Sequence, residues 1–481
     1  MLAPHARGVG STTLRFACRR PPCPRRYSSL PVAEISTDTV WSWGAGSDGR
    51  LGHGEQVSLT SPKPIQTLSG CKVLTVECGV SHTVALLDAA TGGHVFSWGS
   101  NFYGQAGHIP ESSGFLDEDD DDQLSIPTAV KGSLQDKDIA QIACGDFHTL
   151  ALTRSGDIYS WGAGILGHGS EYNDSNPLPI TFFADVARRP NRVAARHTTS
   201  CALAVPISAA TSESGAPTSH VELYAWGHLG ANEKARSPVL VARALSSLLL
   251  NGGSEAIEAL ACGDGCVAVA GAVVDGSRRL LVFGMGDSGA ASAMAPNYPM
   301  PRENASPVAE VWTAPPSVEL ELPNIPVRKV LCGQDFGLTV HDDGAATLFT
   351  IPLSTNTSTD AVVTKTSTPR PPHFPPNVRD ATITPNSLLL LLPDGKIVGW
   401  SIPTVAEQPA LADGSSRQPW WRFWSASSAS DARRSDEAAE KRAAKPMGRL
   451  WESVMSLPPT VIATRPEANR IAGAWHHFAA W

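Results

Sequence analysis

The chain has 481 residues, room for several ordinary domains, yet charged residues make up only 17% of it, and it holds 42 glycines and 38 prolines. That composition suits many short strands and turns and argues against a largely helical protein. The net charge of −8 gives no basis for a nucleic-acid surface, which needs basic patches.

Residues 1–35 stand apart. They contain Arg7, Arg15, Arg19, Arg20, Arg25 and Arg26, with no acid before Glu34. An Arg- and Ser-containing, acid-free leader without a long apolar core has the composition of a mitochondrial transit peptide. Arg25, Tyr27 and Ser28 form its candidate cleavage site, with arginine two before the aromatic. A solvated basic tail is the alternative reading.

A short strand ending in Trp-Gly and followed by a glycine-rich turn then recurs. It reads Val40–Gly44 with Leu51-Gly52-His53, Val95–Gly99 with Ala106-Gly107-His108, and Ile158–Gly162 with Leu166-Gly167-His168. Leu223–Gly227 is a fourth copy, and Phe283-Gly284, Phe349 and Gly399-Trp400 are degenerate ones. A second half-motif lies between them: Cys78-Gly79-Val80-Ser81-His82-Thr83 and Cys144-Gly145-Asp146-Phe147-His148-Thr149. It decays through His197-Thr198, Cys262-Gly263, Cys332-Gly333 and Val378–Leu392 to Ala472–Ala479. Polar turns such as Arg154–Asp157 and Pro393–Lys396 join the two halves as hairpins. Two further strands per unit are expected through the glycine-rich loop, for example Pro64–Gln66 paired with Val73–Val76. Four strands per unit and seven units predict an all-β, seven-bladed propeller. Because the chain opens on one hairpin partner and stops on the other, Ile471–Trp481 is expected to pair with Thr39–Gly44 and close the ring.

The Trp-Gly, Gly-Gln/Arg-Leu-Gly and Cys-Gly-x-x-His-Thr elements resemble the repeats of the RCC1-like (regulator of chromosome condensation type) propellers. The resemblance is specific in the first three units and weak from Phe283 onward. It implies one propeller over residues 36–481, with inserted loops at 109–126, 206–220, 290–316, 355–376 and 405–457.

Two insertions carry candidate sites. Asp117, Glu118, Asp119, Asp120, Asp121 and Asp122 form an acidic run, read as a solvated loop or as a docking site for a basic partner. Trp420, Trp421, Arg422, Phe423 and Trp424, with Trp451 further on, suit a partner groove or a membrane interface. The apolar stretch Ser387–Leu392 is too short to cross a bilayer, which takes about 20 residues. It reads as a buried strand, so any membrane contact is peripheral.

The cysteines and histidines do not converge in sequence as zinc ligands do, since each Cys-Gly-x-x-His belongs to a different unit. The histidines are expected to bond backbone between strands, and the cysteines to sit singly as small buried groups rather than in disulfides. Gly44–Gly49 fits a dinucleotide fingerprint by letter but lies in a propeller turn. No nucleophile elbow or phosphate loop is present, so no catalytic residue, cofactor or metal is assigned. The resemblance implies a non-enzymatic, monomeric scaffold for protein partners. With the leader, it points to the mitochondrial branch of the family, in the matrix or at the matrix face of the inner membrane, and to respiratory-chain complex III (cytochrome bc1) assembly. Nucleotide exchange on a small GTPase and mitochondrial ribosome biogenesis are the alternatives.

Overall fold

Seven small antiparallel sheets follow one another along the chain of the computed structural model. The structure describes residues 39–88, 94–109, 123–207, 221–229, 234–242, 245, 257–263, 266–273, 276–284, 318–333, 336–351, 371–385, 387–401, 455, 458–474 and 477–481. Blade 1 holds β1 (Trp41–Gly44) and β2 (Leu59–Pro64). Blade 2 holds β3 (Val73–Cys78), β4 (His82–Leu87), β5 (Val95–Ser100) and β6 (Gln123–Ala129). Blade 3 holds β7 (Ile139–Cys144), β8 (His148–Thr153), β9 (Ile158–Gly162) and β10 (Asp174–Pro179). After the single turn of α1 (Phe182–Asp185), blade 4 holds β11 (Arg188–Arg196), β12 (Thr199–Pro206), β13 (Glu222–His228) and β14 (Lys234–Ala242). Blade 5 holds β15 (Ile257–Cys262), β16 (Cys266–Ala272), β17 (Arg278–Gly284) and β18 (Val318–Leu322). Blade 6 shows three strands among the described residues, β19 (Val327–Cys332), β20 (Phe336–His341) and β21 (Ala346–Thr350). Blade 7 holds β22 (Asp380–Ile383), β23 (Ser387–Leu391), β24 (Lys396–Ser401) and β25 (Thr460–Thr464). The chain ends with β26 (Ile471–Gly473) and β27 (His477–Ala480), which return to blade 1.

There, β27 pairs antiparallel with β1, with Trp41 opposite Ala480 and Trp43 opposite Phe478. Both chain ends therefore build one sheet, of order β2-β1-β27-β26. Buried clusters fill each gap between consecutive blades. The first joins Val40 and Trp481 to Val73, Val76 and Trp98, and the last joins Leu389, Leu391 and Ile397 to Trp41, Trp43 and Ile471. Each wedge thus buries both faces, which is why strands such as Leu388–Leu391 are apolar throughout and buried.

Register identifies the repeat where the letters do not. The aromatic of each third strand faces an equivalent second-strand position: Trp98 opposite Thr83, Trp161 opposite Thr149, Trp226 opposite Ser200 and Phe283 opposite Val267. Phe349 opposite Gly337, Trp400 opposite Leu388 and Trp43 opposite Phe478 complete the set. The hairpin turns fall where expected, with Gly156 at φ +96° between β8 and β9 supplying the conformation that side chains disfavour.

Two expectations are corrected. Pro64–Gln66 does not pair with Val73–Val76: β2 is the outer strand of blade 1 and β3 the inner strand of blade 2, so the glycine-rich loop leads outward and the next connection crosses between blades. The insertion placed at 109–126 is shorter at its end, because β6 begins at Gln123 and pairs through Ser100.

Candidate docking face

The recurrent polar residues are occupied by contacts between blades. His477 Nε2 lies 2.9 Å from Thr83 Oγ1, His82 Nε2 3.0 Å from Thr149 Oγ1, and His148 Nε2 2.7 Å from Ser200 Oγ. Thr83 donates its hydroxyl proton to the Arg50 carbonyl and Thr149 donates to that of Gln105, each at 3.0 Å. With its proton committed, each threonine accepts from the imidazole, so Nε2 carries the hydrogen. These histidines bond side-chain hydroxyls of the following blade, not backbone, which corrects the expected role. Burial holds His82 down at about 3 and His148 at about 4, so both rings are neutral. The glycine of Cys-Gly-x-x-His makes room for the ring: a Cβ on Gly79 or Gly145 would lie 2.1 Å from Cε1 of His82 or His148.

A second clasp repeats in the Trp-Gly half. Ser42, Ser97 and Ser160 donate to the carbonyls of Leu51, Ala106 and Leu166 and stand 3.0, 2.8 and 2.8 Å from Nε2 of His53, His108 and His168. The glycine before each histidine packs on the next blade's indole, where a Cβ on Gly52 would sit 2.9 Å from Trp98 Nε1. The repeated serines and histidines of these two clasps are thus bonded within the fold.

Charges gather where the inner strands face one another. Lys329 of β19 bonds Asp380 Oδ1 at 3.0 Å, the Ala381 carbonyl at 2.9 Å and the Ile471 carbonyl at 3.3 Å, joining blades 6, 7 and 1. Arg196 crosses from blade 4 to the Ile383 carbonyl of blade 7 at 2.6 Å. Burial pushes the Glu77 carboxyl up to about 7, with Lys329 pulling the other way. Among the described residues no group of three or more His, Cys, Asp or Glu side chains could hold a metal ion. A recess of about 360 Å³ between blades 3 and 4 is lined by His168, Tyr172, Phe182 and Asp185, and its imidazole is already bonded to Ser160.

The surface of the propeller offers a candidate docking face. The Cys-Gly-x-x-His loops and the glycine-rich loops share one face, joined by bonds such as Ser100 N to the Ser81 carbonyl and Ala163 N to the Phe147 carbonyl, both 2.8 Å. On that face Phe102, Ile109, Val57 and Ile126 are 69, 63, 58 and 47% exposed. The loops that carry Val57 and Phe102 are tied to their neighbours. Gly54 N donates to the Ser125 carbonyl at 2.8 Å, Gln56 bonds Gln123, and Tyr103 packs edge-on between Phe102 and Phe147. Sequence reading passed these four residues over. For Val57, Phe102 and Ile109 the signal available was an apolar side chain inside a loop whose turn chemistry calls for polar ones; Ile126 lies on the outer strand β6.

Every site residue singled out from the sequence lies outside the described residues: Arg25, Tyr27 and Ser28, the acidic run Asp117–Asp122, Trp420–Trp424 and Trp451. Among the described residues no helix is long and apolar enough to cross a membrane.

Residues 37–86 and 92–152 match the model of the regulator of chromosome condensation (RCC1) repeat, and a second model of that description matches 73–105 and 139–167. The ultraviolet-B receptor UVR8 of Arabidopsis thaliana is 34% identical over 244 residues, covering 49% of this chain and 48% of UVR8. The human E3 ubiquitin-protein ligase HERC2 is 36% identical over 177 residues, 36% of this chain and 3% of HERC2. The chain thus spans half or less of the curated relatives it matches. Prp20p from Saccharomyces cerevisiae superposes with a TM-score of 0.56 at 16% identity, covering 92% of this chain and 90% of Prp20p. Yeast RCC1 (Prp20) in its complex with Kap60 gives 0.55 at 15% identity over 96% of each chain. The chain carries RCC1 repeats and builds the seven-bladed, all-β propeller that these neighbours share.

Proposed function

We propose that the protein is a non-enzymatic mitochondrial scaffold that docks protein partners on its glycine-loop face and serves assembly of respiratory-chain complex III at the inner membrane. The observation that carries the docking role is the contrast on that face. The repeated His, Ser and Thr are spent on holding blades together, while Phe102, Ile109, Val57 and Ile126 stay exposed on a fixed frame. Exposed apolar groups on tied-down loops suit partner binding, because the backbone that carries them loses little further freedom when they are covered. The mitochondrial part rests on the Arg-rich, acid-free leader with Arg25, Tyr27 and Ser28 at its end.

Deleting the gene and resolving respiratory complexes on native gels tests the assembly role. The expected result is a reduced cytochrome bc1 complex; unchanged levels refute it. Import into isolated mitochondria tests the leader, with processing expected near Tyr27.

Nucleotide exchange on a small GTPase is the second reading. It is favoured by the fold shared with Prp20p, whose reported structure concerns its binding to Gsp1p and histones. Mitochondrial ribosome biogenesis remains a third. Nucleotide release from purified mitochondrial GTPases, measured with the processed chain, separates exchange from assembly: acceleration supports exchange, and none is expected for the scaffold.

A further inference from the structure

The cysteines that look solitary in the sequence meet across blades. Cys201 of β12 and Cys262 of β15 bring their sulfur atoms to 2.9 Å, both fully or nearly fully buried. That is well inside the contact distance of two sulfurs and about 0.9 Å beyond a covalent S–S bond. Cys266 of β16 and Cys332 of β19 adjoin across the next seam, on either side of Gly263. Both neighbours crowd Gly263, where a Cβ would lie 2.6 Å from Cys266 Sγ and 2.7 Å from Cys332 Cβ. The first pair spans blades 4 and 5, the second blades 5 and 6.

Their placement has a pattern. The imidazole-to-hydroxyl bonds link blades 1 to 2, 2 to 3 and 3 to 4, and stop at Ser200. Beyond it the receiving position holds Val267 and Gly337, which carry no hydroxyl. Cys266 stands opposite Gly284 in the register where His82 stands opposite Gly99. The thiol pairs thus take over where the hydrogen-bonded series ends.

We propose that Cys201–Cys262 and Cys266–Cys332 are redox-convertible pairs that become two disulfides, stapling blades 4, 5 and 6, and that their state is set while the chain folds. The oxidant is a small disulfide such as glutathione disulfide. One protein thiolate attacks it and expels one glutathione thiolate, leaving a mixed disulfide. The second protein thiolate then attacks the mixed disulfide and expels the other glutathione. Two protein thiols are oxidised to one S–S bond, the oxidant's S–S bond is reduced to two thiols, and the two protons pass to the departing thiolates. In the closed ring this exchange is withheld. The sulfurs are shut off from solvent; burial favours the neutral thiol of Cys262, and the adjoining Cys266 thiol together with burial does so for Cys332. Before the blades close, neither barrier exists. The inference does not rest on the docking reading, and whether the pairs oxidise in the cell follows the redox poise of the compartment.

The test uses the full chain with intact mass and non-reducing peptide mapping after blocking free thiols. One sample is folded and then exposed to glutathione disulfide; a second is unfolded in reductant and refolded in glutathione disulfide. The refolded sample is expected to show 201–262 and 266–332 cross-linked peptides, with the other five cysteines, Cys18, Cys23, Cys71, Cys78 and Cys144, blocked, and an unfolding midpoint a few degrees higher than its reduced form. The folded sample is expected to convert far more slowly, and faster in mild urea. Cys201→Ser should abolish the first cross-link and keep the second, while Cys332→Ser does the reverse. Free thiols throughout the refolded sample, or cross-links in other pairings, overturn the proposal. If refolding recovers no propeller, the urea-treated folded sample decides by the same peptides.

Discussion

Replacing Thr149 by valine removes one hydroxyl and keeps the side-chain shape. That hydroxyl accepts from His82 Nε2 at 3.0 Å and donates to the Gln105 carbonyl at 3.0 Å. The Gln105 carbonyl keeps a second partner, Trp161 Nε1 at 3.1 Å, so its loss is modest. His82 has no such reserve. Its ring is fully buried, and its Nδ1 has no hydrogen-bond partner. The variant strands an N–H donor away from water, costing about 1–3 kcal/mol, and forfeits one further bond worth about 1 kcal/mol. A destabilisation of about 2–4 kcal/mol is therefore expected in urea unfolding followed by tryptophan fluorescence. Adding His82→Leu removes the stranded donor, so the double variant should be less destabilised than the two single changes summed, by at least about 0.5 kcal/mol. A Thr149→Val cost under about 0.5 kcal/mol, or strict additivity, would refute the reading that these bonds fasten one blade to the next.

Acid should loosen the ring through the same histidines. His82 and His148, ordinarily at 6.5, are held near 3 and 4 by burial, so the unfolded chain takes up protons that the folded chain refuses. Their stabilising share is complete above pH 6.5 and falls as pH drops towards 4, by about 1.4 kcal/mol per unit for each ring; urea midpoints flat between pH 6.5 and 4.5 in a Glu77→Gln background would contradict this. Glu77 has the opposite sign. Raised to about 7, it binds a proton in the folded state that the unfolded chain gives up above 4.5, so it destabilises as pH rises between those values. Glu77→Gln should raise the midpoint at pH 8 and leave it nearly unchanged at pH 4.5. Gly145→Ala should cost about 1–3 kcal/mol or more by driving a methyl to 2.1 Å from His148 and 2.6 Å from the His197 carbonyl. Gly164→Ala, at φ +98° but in open space, should cost about 1 kcal/mol in the same assay.

The propeller was legible because its wedges impose repeated demands on the sequence. An aromatic must fill each third strand, so Trp98 and Trp161 announce themselves, and Phe283, Phe349 and Trp400 can be found by the same spacing. The terminal strands could be matched because each is half of a hairpin that repeats elsewhere intact. Partnerships between blades were not legible. His82 and Thr149 are distant in the chain, and the letters Cys-Gly-x-x-His-Thr do not say that each histidine serves the threonine of the next copy. For the same reason Cys201 and Cys262 read as isolated. The exposed apolar face stayed hidden because Val57, Phe102 and Ile109 sit in loops of no fixed period, where exposure depends on the neighbouring blade. The acidic run and the tryptophan cluster drew the eye by composition alone, and both lie outside the described residues.

The docking account meets its most direct test in a chain carrying Val57→Ser, Phe102→Ser, Ile109→Ser and Ile126→Ser together, returned to cells that lack the protein. The four side chains are exposed, so the unfolding free energy in urea should hold to within about 0.5 kcal/mol for each change. Cross-linking mass spectrometry should then show complex III subunits captured by the unaltered chain and lost from the variant, with cytochrome bc1 levels on native gels left unrestored. Full capture and full restoration by the stable variant would place partner binding elsewhere on the molecule and contradict the account.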